Sequence, residues 1–360
     1  MRQCLGWPGL LTSLVLVGIM GIMGAWGFGP HRALHAVSWS MLPMPMRQAW
    51  GGHPDMLIQW ATSADSRKHT DSLEAPRHYL DVDDLPVSLQ DDLPVVWGLP
   101  HAMADSLMST STEGGLGSFG LLPWHIERVY HQLARAMKRD SVDLNRVLRL
   151  AADLGHYIGD AHVPLHTSGN YDGQRTGQRG IHALWETHAM EWLLGSTHAS
   201  SCPCTPLPSF DPRWTAWEII EESHAMVPMV LDAESQLRRL HPEDGWGFRR
   251  RGRTLQLLPT PEALATWDSL THHTSFPRFC QASRTIASAW HAAWVDAGSP
   301  MMSSPSHETD PGLWTYLVNQ VRDLRFQLKD LRFRLNAAID LEPQPNDNDT
   351  PQDDFDHLHP

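Results

Sequence analysis

Cysteine is scarce in this chain of 360 residues, which contains only four. Cys4 lies near the N-terminus, and Cys202, Cys204 and Cys280 cannot all pair with one another because their number is odd. One bridge from the CPC stretch to Cys280 is the pairing that fits, with either cysteine of the stretch as the partner. No Cys-x2-Cys spacing is present, so any metal site must be built from histidines and carboxylates.

Long apolar runs are also missing. The most apolar run, Leu10 to Ile22, has 13 residues, whereas a helix that spans a bilayer needs roughly 20. Arg2 is the only charged residue before this run, and small residues follow it up to Ala25, as in a secretory signal peptide. We therefore predict a signal peptide over 1–25, no transmembrane anchor, and a secreted or periplasmic protein.

Basic residues are outnumbered, and the formal net charge is −13. A net negative charge does not favour nonspecific binding to the phosphates of duplex nucleic acid. Six acidic residues and no Lys or Arg occupy 341–360, which we predict to be a disordered acidic tail. One local basic stretch, Arg249–Arg253, is interpreted either as a solvated loop or strand end or as a phosphate contact.

Runs that alternate like strands are few, and helical periodicity dominates. Helices are predicted after Pro123, from Ser141 (as the N-terminal cap) into LGHYIGDAH, over 214–240 and over 282–296. The predicted fold is an all-α, multi-helix bundle.

A separate C-terminal pattern follows this predicted bundle. Residues 301–340 are interpreted as a linker and an amphipathic helix, in which five leucines and Val321 within 313–338 alternate spacings of four and three. This heptad seam is short, so it could mediate self-association or pack on its own domain.

The densest group of chemically active residues begins with His156 and Asp160. They lie four residues apart and continue an apolar helical stripe, so both should face inward. His182 and Glu186 repeat this spacing on a second helix, and His166 lies between the two pairs, two residues after Pro164. Imidazole and carboxylate donors arranged in this way suit zinc.

Two glycines, Gly155 and Gly159, lie beside the first pair inside its helix. Each costs roughly 1 kcal/mol relative to alanine. Close approach of another backbone would explain this cost, and the N-terminal segment is the candidate.

The order of these residues resembles the zinc-dependent phospholipase C and single-strand-specific nuclease superfamily. The segments HYIGDAHVPLH and HALWE follow its His-x3-Asp, Pro-Leu-His and His-x3-Glu pattern. The resemblance implies that cleavage after Ala25 exposes Trp26, whose amine and carbonyl would bind zinc together with His31. An Asp and a His of the family pattern match Asp65 and His78, with Asp71 as an alternative to Asp65.

Carried over residue by residue, the resemblance implies a zinc-dependent phosphodiesterase domain over 26–300 with a trinuclear zinc cleft. One ion would be held by Asp65, His78, His156 and Asp160, a second by His166, His182 and Glu186, and a third by Trp26 and His31 with Asp160 as a bridge. The nearby His35, His125, His162 and His188 are interpreted as non-ligands. Asp81 and Asp83 are interpreted as surface groups or as groups that orient His78.

The resemblance also implies hydrolysis of phosphate esters by activated water. Asp65 is the expected catalytic carboxylate, and Arg67 or Lys68 is expected to approach the phosphate. Glu186 in the final ligand position is similar to the phospholipase branch, which favours a phospholipid substrate. Single-stranded nucleic acid, or a zinc-binding protein without catalysis, stays open as an alternative.

Overall fold

Helices dominate the protein, whose structure is a computed structural model that describes residues 28–52, 54–71, 73–85, 119–138, 142–196, 202, 208–242, 244–251 and 254–302. All of these residues belong to one compact unit, residues 1–304. Within the described ranges 69% of residues are helical, which confirms the all-α prediction in its coarse form. The predicted signal peptide, Trp26, Cys204, the heptad helix and the acidic tail lie outside the described residues.

Twelve helices and one hairpin make up the described part of the chain. The helices are α1 Phe28–Met41, α2 Met44–Ala49, α3 Asp55–Trp60, α4 Ser63–Arg67, α5 Leu122–Met137, α6 Leu144–Ala161, α7 Ile181–Ala183, α8 Met190–Ser196, α9 Trp214–Ala225, α10 Val227–Leu240, α11 Pro261–Leu270 and α12 Ser275–Asp296. Short 3-10 turns span Ala75–His78, Val82–Asp84 and Pro164–Thr167, and a π-helical turn, Leu184–Ala189, joins α7 to α8.

Helix α6 lies at the centre of the main core, where it packs against α1, α5 and α12. Most of its apolar side chains are buried, and Trp290 of α12 donates its indole N–H to the Ala151 carbonyl over 2.8 Å. The helix begins at Leu144, and the Asp143 carboxylate caps it by accepting a hydrogen bond from the Arg146 backbone N–H. The predicted cap at Ser141 is therefore wrong by two positions, since Asp143 offers an equally good acceptor.

A second core lies beside the first and is formed by α10, α11 and the π-helical turn. The single helix predicted over 214–240 is interrupted at Met226, because Pro228 in the first turn of α10 has no N–H to continue the hydrogen bonding of α9. The predicted helix over 282–296 starts earlier, at Ser275. None of the described helices combines the length and the apolar character needed to cross a membrane.

Between α10 and α11 the chain forms an antiparallel hairpin that the helical periodicity did not predict. Strand β1 is Trp246–Arg251 and β2 is Thr254–Pro259, with Trp246 opposite Pro259 and Arg251 opposite Thr254. Residues 249–251 of the basic stretch therefore form the end of a strand, one of the two environments proposed for them.

A disulfide bond joins Cys202 to Cys280 of α12. Both residues are buried. This bond confirms the expected bridge from the CPC stretch and selects Cys202 as the partner.

Candidate metal centre

The first pair of predicted ligands lies on one face of α6, as the spacing required. His156 is fully buried and Asp160 is 1% exposed, and the imidazole Nε2 lies 3.3 Å from the Asp160 Oδ2 atom. Apolar residues precede both on the same stripe, so the packing that buries α6 also buries this pair.

Two residues from the preceding segments reach the same point. His78 ends the 3-10 turn Ala75–His78, and its Nδ1 lies 2.7 Å from Asp160 Oδ2. The Asp65 Oδ1 atom of α4 lies 3.6 Å from His156 Nε2. Asp71 instead accepts hydrogen bonds from Arg77 and from the Leu73 backbone. The structure thus brings Asp65, and not Asp71, into the group.

A second group forms where the 3-10 turn Pro164–Thr167 meets the π-helical turn. His182 and Glu186 are in contact, with Nε2 2.9 Å from Oε2. His166 lies beside both, with its Nε2 3.9 Å from Glu186 Oε1 and its ring centroid 4.9 Å from that of His182. A π-helical turn places successive residues differently from an α-helix, and such turns are frequent at functional sites.

His31 of α1 connects the two groups. Its Nε2 lies 3.3 Å from Asp160 Oδ1 and 3.2 Å from Glu186 Oε1. Its ring stacks on that of His156, with a centroid distance of 4.2 Å. Every predicted ligand within the described residues therefore belongs to one continuous, largely buried cluster.

The donor chemistry of this cluster fits metal ions. His156 Nδ1 donates to the Ala61 carbonyl over 2.8 Å, and His166 Nδ1 donates to the His78 carbonyl over 2.6 Å. These bonds leave each Nε2 with a lone pair aimed at carboxylates when the ring is neutral. His166 Nε2 is buried without a hydrogen-bond partner. Lone pairs and carboxylates repel one another unless a cation lies between them.

Four overlapping sets of donors satisfy the distance requirement for a shared ion, with all ligand atoms of a set within 4.8 Å of one another. The sets are His31, Asp65 and His156; His78, His156 and Asp160; His166, His182 and Glu186; and His31, Asp160 and Glu186. Several buried His, Asp and Glu groups can therefore hold a metal ion.

The electrostatics of the protein alone agree with this interpretation. Burial acts to lower the pKa of His156, but Asp160 and Asp65 raise it well above its ordinary value. Burial acts to raise the pKa of Asp160, but His156 and His166 lower it well below its ordinary value. The cluster thus attracts positive charge, which is supplied either by protons or by metal ions that displace them.

Glu74 supports the cluster and was not singled out by the sequence patterns. It is fully buried, and it accepts hydrogen bonds from Arg67 and from the Tyr157 hydroxyl. Its Oε1 also lies 3.5 Å from His78 Nε2, so it helps to orient that ring. The spacing of four residues between Glu74 and His78 was the available signal.

Arg67 and Lys68, the two basic residues expected to approach the substrate phosphate, have different environments. The Arg67 guanidinium donates to Asp153, Glu74 and Tyr157, which ties it to the supporting structure. Lys68 Nζ lies 2.8 Å from Asp65 Oδ1, with its side chain 33% exposed. Lys68 is therefore the cation that directly contacts a carboxylate of the donor cluster.

The other acidic residues and histidines considered in the sequence lie outside the cluster of metal donors. Asp83 accepts hydrogen bonds from Ser168 and from the Gly169 backbone. Burial, reinforced by Asp84 and Asp83, raises the pKa of Asp81 to about 7. None of the four histidines interpreted as non-ligands, His35, His125, His162 and His188, occurs in a donor set within the described ranges.

Comparison with known proteins adds no family assignment: no protein-family model matches the chain, and no significant match exists among curated proteins.

Proposed function

We propose that this chain is an exported zinc-dependent hydrolase of phosphate esters, most similar in activity to a phospholipase C. The observation that supports this proposal is the convergence of His31, Asp160 and Glu186, which links two separate donor groups into one cluster. An isolated structural zinc site needs four ligands. A continuous array of five imidazoles and three carboxylates is the arrangement used to hold several neighbouring ions for phosphate chemistry.

Each ion is assigned to residues of the chain. Asp65, His78, His156 and Asp160 would hold the first ion, and His166, His182 and Glu186 the second. His31 and Asp160, with the amine and carbonyl of Trp26 after signal cleavage, would hold the third. When bound, zinc ions supply Lewis acidity, which acidifies water and neutralises phosphate oxygens.

Asp65 is the carboxylate best placed to orient the attacking water and to accept its proton. Its side chain is 28% exposed, compared with 2% for Asp160 and 16% for Glu186. Only Asp65 therefore combines contact with the buried donors and substantial access from solvent.

Lys68 is the residue that would contact the phosphate oxygens. Burial acts to lower its pKa, but Asp160 and Asp65 raise it above its ordinary value, so the ammonium stays charged at neutral pH. Glu74 acts on the reaction only through His78, whose ring it helps to hold.

A single-strand nuclease is the second candidate, and one observation favours it. Tyr171 is 54% exposed and lies edge-on to His182, with ring centroids 6.2 Å apart. An exposed aromatic ring beside a ligand offers a surface on which a base can stack.

A parallel hydrolysis assay tests the proposal. The mature, zinc-loaded protein is incubated with phosphatidylcholine vesicles, single-stranded DNA and single-stranded RNA, and release of phosphocholine is the expected result. His156→Ala should abolish this activity and reduce bound zinc. His35→Gln, which alters a fully buried histidine outside the donor sets, should retain zinc.

Release of nucleotides without phosphocholine would replace the phospholipase assignment with the nuclease one. A protein that binds zinc and hydrolyses no phosphodiester would contradict both and favour a zinc-binding protein without catalysis.

A further inference from the structure

The β1–β2 hairpin presents an apolar surface to solvent. Phe248 and Leu257 lie directly opposite each other in the register and are 71% and 53% exposed. Cross-strand neighbours share one face of a hairpin. Two large apolar side chains therefore form a single exposed patch.

The alternation of the strands shows that Phe248 and Leu257 point away from the body of the protein. Leu258, the next residue after Leu257, is 9% exposed and pairs with Gly247 on the opposite face. Trp246 and Pro259 pair on the same face but are less exposed, so the exposed patch is formed by Phe248 and Leu257.

Positive charge is concentrated at the end of this hairpin. Arg249, Arg250 and Arg251 end β1, and Arg253 follows two positions later in the sequence. Four of the 28 basic residues thus lie within five positions of a chain whose net charge is −13. The hairpin combines apolar exposure with a charge opposite to that of the whole protein.

We propose that this hairpin docks the protein on an anionic phospholipid surface. Apolar side chains of an interfacial element enter the boundary between headgroups and acyl chains, and arginines pair with the phosphates above it. Single-stranded nucleic acid shares the attraction to arginine and could stack a base on Phe248, but the aliphatic Leu257 beside that ring favours lipid.

The position of the hairpin gives docking a consequence for the metal centre. Strand β2 packs against the π-helical turn Leu184–Ala189, which carries Glu186. A docked hairpin would hold this donor group close to the lipid. This consequence rests on the proposed phospholipase activity, whereas the docking itself does not.

Vesicle sedimentation tests the docking directly. The purified full mature chain is mixed with vesicles of phosphatidylcholine alone or of equal parts phosphatidylcholine and phosphatidylglycerol. The wild type should bind the anionic vesicles more strongly, and added salt should weaken this binding. The double substitution Phe248→Ser, Leu257→Ser should reduce partitioning more than about tenfold. Each replacement of Arg249, Arg250 or Arg251 by Gln should reduce it about fivefold.

Val295→Ser is the matched control, because Val295 is 48% exposed at the end of α12 and lies outside the hairpin. It should leave partitioning unchanged, and thermal melting confirms that each variant is folded. Unchanged binding by the double variant, or no binding by the wild type, would overturn the proposal. Binding of oligo(dT) through the hairpin without vesicle binding would also overturn it. Vesicle binding without hydrolysis of any phosphodiester would refute the proposed activity and leave docking intact.

Discussion

Gly159 of α6 lies directly against the imidazole of His31. A methyl group at this position would lie 3.2 Å from His31 Cε1 and Nδ1, and one at Gly155 would lie 2.7 Å from His35 Nε2. The N-terminal segment does approach these two glycines, but the expected backbone contact is wrong, because side chains of α1 make the approach. The two glycines let α1 pack close enough to α6 for His31 to reach Asp160.

Gly159→Ala should weaken metal binding by the His31 group. Alanine favours a helix by roughly 1 kcal/mol, but here its methyl group would displace the His31 ring by a few tenths of an ångström. We expect about a tenfold loss of affinity for the most weakly held zinc, measured by competition with a chelator. Gly195→Ala in α8 is the control, because a methyl group there meets no atom within 4 Å. Equal zinc affinity in both variants would contradict the packing argument.

Glu74→Gln should lower both stability and metal affinity. Glutamine keeps the volume but removes the charge that faces Arg67 and Arg77. Loss of one partner from a buried ionic network should cost on the order of 3 kcal/mol in the free energy of unfolding. It should also weaken zinc binding about tenfold, because the His78 ring loses its support. Urea unfolding with and without zinc separates the two effects, and wild-type values in both would refute the role of Glu74.

Asp81→Asn should stabilise the protein most at high pH. The pKa of Asp81 is raised from 3.8 to about 7 in the folded state, so the folded protein holds a proton that the unfolded chain releases. The contribution of this carboxyl to stability therefore falls as pH rises from about 4 to about 7 and stays low above that range. Asparagine cannot ionise, so the gain in melting temperature should be larger above about pH 8 than below about pH 5.

The control for this pH dependence is Asp244→Asn, since the Asp244 side chain is 81% exposed. It should shift the melting temperature little at either pH. A gain for Asp81→Asn that is independent of pH would show that burial does not hold this carboxyl protonated.

Cys280→Ala should destabilise the protein by removing the disulfide bond. The bond closes a loop with a sequence separation of 78 residues, for which the chain-entropy account gives about 4 kcal/mol. The variant should melt at a lower temperature than the wild type, and a reducing agent should lower the melting temperature of the wild type but not that of the Cys280 variant. Cys204→Ala is the control and should melt like the wild type. Equal melting of the Cys280 and Cys204 variants would contradict the assigned pairing.

Much of the candidate site was predictable because helical spacing is local. The intervals from His156 to Asp160 and from His182 to Glu186 place each pair on one helix face whatever the rest of the chain does. The choice between Asp65 and Asp71 was not local, since both precede His78 by a short distance. It depended on α4 packing beside α6 while Arg77 engaged Asp71.

The fold was predictable in its class and less so in its irregular parts. Periodic apolar residues marked α5 and α6, but the β1–β2 hairpin lies in a stretch where arginines obscure the alternation. The break at Met226 was not predicted, because helical periodicity is strong on both sides of Pro228. The missing N–H of this proline nevertheless interrupts the hydrogen bonding between the two helices.

The sequence by itself determined the helical class, the two ligand pairs and the bridge from the CPC stretch to Cys280, because each depends on periodicity, spacing or the number of cysteines. Only the tertiary structure decided that His31 joins the two donor groups, that Glu74 lies beneath His78, and that Phe248 and Leu257 face solvent together. The contacts of His31 join residues far apart in the chain, the position of Glu74 depends on Arg67 and Tyr157 packing around it, and the apolar pair depends on strand register. They exist only once packing has set the helices and strands against one another.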